Sequence, residues 1–191
     1  MGLLDTLLGR TKQVAPSLDS LFALPTAAVT LEAQLDIVPS GHGGVCFKAG
    51  SGETTRTTDA EMRQLLSVGA TDPTVALTTD DLGFSWLTIH DEDFSSLVTR
   101  LHAANSTMVD NGIGPRLLCS VVGFVPKTPP GEGDVRLVYL LKRGTFYPFA
   151  PRDGQTRDNE YELRVRTFLG DDLPVEKDLS QWMALWDLPV S

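Results

Sequence analysis

The apolar positions along the chain switch between helical and strand spacing, and those switches mark out its elements. Residues 1–10, MGLLDTLLGR, place Leu3, Leu4, Leu7 and Leu8 on one side of a short amphipathic helix, and a brief linker runs to Pro16. A further turn opened by Ser17 or Asp19 carries Leu18, Leu21, Phe22 and Leu24. Over residues 26–37 helix is favoured above strand despite the β-branched content, because Pro25 suits a helix start and Pro39 lies beyond its end. The SGHGG run at 40–44 reads as a turn leading into a strand, VCFKA. Thr58 and Glu61 then form a capping box, each side chain satisfying the other's exposed backbone amide. The helix they open shows Met62, Leu65 and Leu66 and stops at Gly69.

Farther along, TVALTT and FSWLTIH flank Asp-Asp-Leu-Gly, which predicts a hairpin over 74–90. Asp91 or Asp93 opens the clearest helix of the chain, with Phe94, Leu97, Val98, Leu101 and Met108 on one face and Asn111-Gly112 at its end. A second hairpin runs from LLCSVVGFV through KTPPGEGD, the loosest internal loop, to VRLVYLL. KRGTFYPFAP adds another turn and a short strand. Asn159 with Glu162 suggests a second capping box, before a stripe of Tyr161, Val165, Phe168 and Leu169, and the tail carries Trp182 and Trp186. Helices mixed with consecutive strands predict an α+β fold: a mainly antiparallel sheet with helices packed against it. The expected division is an N-terminal amphipathic helix and linker over 1–16, then one domain over 17–191.

Composition narrows the class. A chain of 191 residues, 41% hydrophobic and 21% charged, can bury a core and is not disordered. Its net charge of −9 repels phosphate backbones and anionic lipid at long range, which argues against nucleic acid as a partner. No uncharged apolar run reaches the roughly 18 residues of a transmembrane segment. Asp5 and Arg10 spoil a secretory signal, so the expected location is cytoplasmic. Cys46 and Cys119, in apolar strand-like surroundings, are expected as buried free thiols.

Candidate chemistry is sparse. His42, His90 and His102 lack the spacing of a helical metal site and no CxxC exists, so neither metal nor cofactor is expected. Gly83-Phe84-Ser85-Trp86-Leu87 lacks the final glycine of a nucleophile elbow, and Lys127-Thr128 follows Val-Pro where a phosphate loop needs glycines. Cys119 and His102 could pair only if the fold joined them. The acidic groups Asp80-Asp81, Asp91/Glu92/Asp93 and Asp171-Asp172 fall at turns and helix ends, where capping and solvation explain them.

Two features point outward. The leucine face of Leu3, Leu4, Leu7 and Leu8 can dock on its own domain, on a partner helix or on a membrane surface. Only Arg10 and Lys12 stand near it to meet anionic lipid. The turn Lys142-Arg143, followed by Phe146 and Tyr147, can grip an acidic partner segment. It can equally form a hairpin with its aromatics inward and its charges in water.

Taken in order, MGLLDTLLGR, LDSLFALPTAAVTL, DDLGFSWL, LVTRLHAAN, GIGPRLLCSVVGF, YLLKRGTFYPFAP and WMALWDLP resemble the PspA-associated PspAB family of actinobacteria and archaea over nearly the whole chain. The departures are an expanded PPGEGD loop and an ordinary Gly41-His42-Gly43 turn. The resemblance implies an accessory protein of the phage-shock envelope-stress response acting from the cytoplasmic side. Genes of that family accompany PspA-type membrane-associated proteins and an HtpX-type membrane protease. It brings no catalytic residues and no cofactor. The expected function is a non-enzymatic adaptor that binds a PspA-like protein through Leu3, Leu4, Leu7, Leu8, Lys142, Arg143, Phe146 and Tyr147, with peripheral membrane contact left open. Two alternatives stay beside it: a chaperone-like α+β module for an extended client, and a small hydrolase built on Cys119 or His102.

Overall fold

A computed structural model describes residues 17–48, 74–79, 83–128 and 133–186. The N-terminal leucine helix, the Thr58/Glu61 capping box with its helix, the centre of the first hairpin turn, the middle of the PPGEGD loop and the last five residues lie outside the described residues.

The fold is α+β. A six-stranded sheet runs in the order β2-β3-β1-β4-β5-β6, every neighbour antiparallel. Its strands are β1 (Ile37–Lys48), β2 (Val75–Thr79), β3 (Phe84–His90), β4 (Leu117–Pro126), β5 (Val135–Leu140) and β6 (Thr145–Phe149). Both predicted hairpins form, β2 with β3 and β4 with β5. Three α-helices accompany the sheet: α1 (Leu24–Leu35), α2 (Phe94–Asp110) and α3 (Asn159–Leu169). A two-stranded ribbon, β7 (Pro151–Arg152) with β8 (Thr156–Arg157), leads into α3.

The helices begin and end for local reasons. Pro25 sits in the first turn of α1, and the helix stops at Asp36, whose left-handed backbone (φ 54°) turns the chain directly into β1. Asp93 caps α2 by accepting from the Ser96 amide at 2.7 Å, and Gly112, at φ 79°, carries the chain away from its other end. The face of α2 carrying Leu97, Val98, Leu101, Ala104 and Met108 is buried, as its spacing predicts.

Two local expectations need correction. SGHGG is not a turn but the middle of a twelve-residue strand, β1. The register against β4 slips between Pro39 and Gly43, so these glycines serve a β-bulge, with Gly41 at φ 79°. Gly43 also lets α2 approach the sheet: a Cβ there would stand 2.9 Å from Leu101 Cδ1 and 3.3 Å from Leu97 Cδ1. At α3 the cap is Asp158, not Asn159, its carboxylate accepting from the Tyr161 amide at 2.9 Å. Glu162 does not complete a capping box. It points into the core, accepting from the Ala150 amide and from Arg157 Nε, each at 2.9 Å.

Strand alternation gives the sheet two distinct faces. Leu87, Val45, Ser120, Tyr139 and Phe146 form a cross-strand row on one face, directly opposed through the registers of β3, β1, β4, β5 and β6. All three helices share their apolar cluster with this face, and Asn105 of α2 donates to Ser120 Oγ at 2.8 Å across the interface. The other face carries Trp86, Cys46, Cys119, Val121, Val138, Tyr147 and Phe149 in a second cluster. There the cover over β6 is the segment 173–186, irregular apart from one 3-10 turn at Leu179–Gln181.

That segment is tied to the sheet edge first. Phe146 donates to Pro174 O at 2.8 Å and Glu176 donates to Phe146 O at 2.7 Å, a short parallel extension that pairs an otherwise open strand edge. The chain then crosses the face. Trp182 stacks on Tyr147 with ring centroids 5.9 Å apart, and Trp186 meets Phe149 edge-on at 5.1 Å. Polar groups fix the crossing: Tyr147 OH donates to Met183 O at 2.9 Å, and Arg157 Nη1 donates to Trp182 O at 2.8 Å.

Candidate functional site

Where the end segment meets the β5–β6 turn, it leaves a groove of about 960 Å³ lined by Lys142, Arg143, Arg166, Lys177, Glu176 and Asp178, with Pro174 and Val175 beside them. The positive turn singled out in the sequence forms one wall. The opposite wall comes from α3 and from the residues after it, so the groove assembles only when β6, α3 and the end segment come together.

Glu176 organises this corner. Its residue is 3% exposed, yet it carries a full charge because every lone pair finds a donor. Arg143 grips both carboxylate oxygens, with Nη2 to Oε1 at 3.0 Å and Nε to Oε2. Thr145 Oγ1 donates to Oε2 at 2.7 Å and the Asp178 amide donates to Oε1 at 2.9 Å. The Arg143 hydrogen bonds, helped by the Asp178 amide and the Thr145 hydroxyl, outweigh desolvation and hold the carboxyl at about 2, well below its usual 4.5. Arg143, in turn, is pushed up from its ordinary value by Glu176.

The cationic side chains of the groove are engaged differently. Arg143 is committed to Glu176, so its charge is largely neutralised inside the protein. Lys142, Lys177 and Arg166 line the same groove, and among the described residues none of them forms an ion pair. Arg166 lies over the Trp182 ring, 5.9 Å from its centroid. Asp178 spends its carboxylate on the Ser180 amide and hydroxyl, which lower it from its ordinary value.

A family model described as PspA associated protein B matches residues 1–190. The chain belongs to that family. Comparison with the curated proteins and comparison with the solved structures each give no match. The family is described by its association with PspA, not by an enzymatic activity, which points to a protein partner. Among the described residues no helix is long and apolar enough to cross a membrane.

Against this family background, the sequence-predicted site residues separate. Lys142 and Arg143 stand at the groove, both exposed. Phe146 and Tyr147 do not: each is 1% exposed, Phe146 under the helices and Tyr147 beneath Trp182. The turn is therefore a hairpin with aromatics inward and charges outward, and the two rings leave the set of contact residues. Leu3, Leu4, Leu7 and Leu8 lie outside the described residues. Arg166, Lys177 and Glu176 were not singled out in the sequence. No local signal marks them, because Glu176 and its arginine are 33 residues apart.

The remaining candidates are structural. Cys119 belongs to the cluster on the segment-covered face, whereas His102 is on α2 over the opposite face, so the sheet separates them and no dyad forms. His102 instead packs on Phe22 at 4.6 Å between centroids, with Asp19 Oδ1 3.7 Å from Nε2. His42 and His90 are cross-strand partners with rings 4.5 Å apart. Among the described residues, no three His, Cys, Asp or Glu side chains are grouped to hold a metal.

Proposed function

We propose that this protein is a non-enzymatic adaptor of the phage-shock system that captures an acidic segment of a PspA-type protein, on the cytoplasmic side of the membrane. The observation that carries this reading is the groove's charge: four cationic side chains against two carboxylates, on a chain of net charge −9. One carboxylate is already neutralised by Arg143, so the groove is a local positive site on an acidic molecule. Such a site attracts an acidic segment at close range while the rest of the surface repels it, which sets the orientation of docking. The exposed Pro174 and half-buried Val175 in its lining offer apolar contact to the nonpolar side chains of an amphipathic acidic helix.

The N-terminal leucines Leu3, Leu4, Leu7 and Leu8 are proposed as a second contact with the same partner, and an HtpX-type membrane protease as a functional neighbour of the complex. The test is a calorimetric titration of a purified PspA-type protein into the full chain. Lys142→Glu combined with Lys177→Glu is expected to weaken binding by about tenfold or more at low salt, since charge reversal places like charges together. Equal affinity for the double variant and the parent would remove the groove from the account. Leu4→Asp with Leu7→Asp is expected to lower affinity at unchanged thermal stability; lost stability would instead assign those leucines to the core.

A further inference from the structure

Cys46 and Cys119 are direct cross-strand partners at the centre of the sheet, on β1 and β4. Opposed residues of an antiparallel pair have Cα atoms about 4.5 or 5.5 Å apart, and a disulfide accepts about 4.4–6.8 Å. Both side chains project from the same face, because the register pairs them directly, and both are buried, at 4% and 5% exposure. Both are free thiols. We propose that this pair, which the register opposes directly beside an irregularity at Phe47, is an oxidative modification site: a peroxide converts Cys46 and Cys119 into an intramolecular disulfide that staples β1 to β4.

The chemistry balances with hydrogen peroxide as oxidant. The Cys46 sulfur attacks one peroxide oxygen, the O–O bond breaks, and Cys46 becomes a sulfenic acid as the first water leaves. The Cys119 sulfur then attacks the Cys46 sulfur. The S–O bond breaks, the S–S bond forms, and the hydroxyl departs with the Cys119 proton as a second water. Two thiols are oxidised by two electrons and one peroxide is reduced. The two sulfurs can exchange these roles. Contact with the Cys46 thiol, reinforced by burial, pushes Cys119 well above its ordinary value and keeps it largely a thiol. The same burial makes the reaction slow, gated by opening of the face.

The site does not depend on the partner reading, and its test does not involve the partner. The full-length protein is treated with hydrogen peroxide, its intact mass and peptide map are read, and its melting temperature is compared with that of the reduced form. The expected result is loss of two hydrogens, one linked pair of peptides containing Cys46 and Cys119, and a melting temperature higher by roughly 5–15 °C. A thiol reductant reverses all three, and Cys46→Ala or Cys119→Ala abolishes them. Linkage between two chains, oxygen addition without a linked peptide, or thiols still free after prolonged exposure would each overturn the proposal.

Discussion

The two faces of the sheet are closed by different means. On one, three helices bury a continuous apolar cluster against β1, β3, β4, β5 and β6, with Asn105–Ser120 as a buried polar contact between helix and sheet. On the other, a segment without regular helix lies over the β6 side, held by a few rings and by hydrogen bonds from Tyr147, Arg157 and the Glu176 cluster. The first cover is mostly hydrophobic and nondirectional. The second depends more on directional contacts, so it should respond more sharply to loss of a single charge or ring. The groove proposed for partner binding lies beside the second cover, where charged side chains are held at a sheet edge.

Substitutions under the helices should have the largest effect. Leu101 is fully buried and sits against Gly43, so Leu101→Ala should lower the unfolding free energy by about 3–5 kcal/mol in a urea titration. An effect below about 1 kcal/mol would show that α2 is not part of the cooperative core. Trp182→Ala should act locally. Hydrogen exchange at the Phe146 and Glu176 amides should rise by at least an order of magnitude, while the amides of α2 stay protected. Equal acceleration in both places would erase the distinction between the faces.

Next comes Glu176→Gln, which keeps the shape and removes the charge. It should cost roughly 2 kcal/mol at pH 7, allowing for the half-exposed arginine. The sign of its pH dependence is fixed by the depressed carboxyl. The Glu176 contribution is fully present above its usual 4.5 and is lost as pH falls toward about 2. The stability gap between parent and variant should therefore be constant from pH 7 to 5 and close below it. A gap that persists at pH 2 would mean the loss comes from packing, not from charge. The smallest effect on folding belongs to Lys142→Glu, which should leave the melting temperature unchanged and alter only partner affinity.

Much of this architecture was legible because it is written locally. Asp93, the α2 stripe and Asn111-Gly112 lie within one stretch of chain, and both hairpins join adjacent strands. The misreadings arise where one residue type serves two physical purposes. Gly41 and Gly43 look like a turn, yet they permit a bulge and a close helix approach within a strand. Glu162 has capping-box spacing from Asn159, yet it is drawn inward by Arg157 and the Ala150 amide, contacts that depend on how α3 docks. The groove lies farther still from local pattern. Lys142 and Arg143 were visible as a cationic turn, but Arg166, Glu176 and Lys177 join them only through the tertiary fold.

Zero-length carbodiimide crosslinking of the full-length protein to a PspA-type partner, read by mass spectrometry, tests recognition through the groove most directly. It joins a lysine to a carboxylate only where the two touch. The account predicts that Lys142 and Lys177 give the dominant links, to glutamate or aspartate within one acidic helical segment of the partner. Links confined to lysines elsewhere, such as Lys48 or Lys127, with Lys142 and Lys177 unlinked, would contradict it.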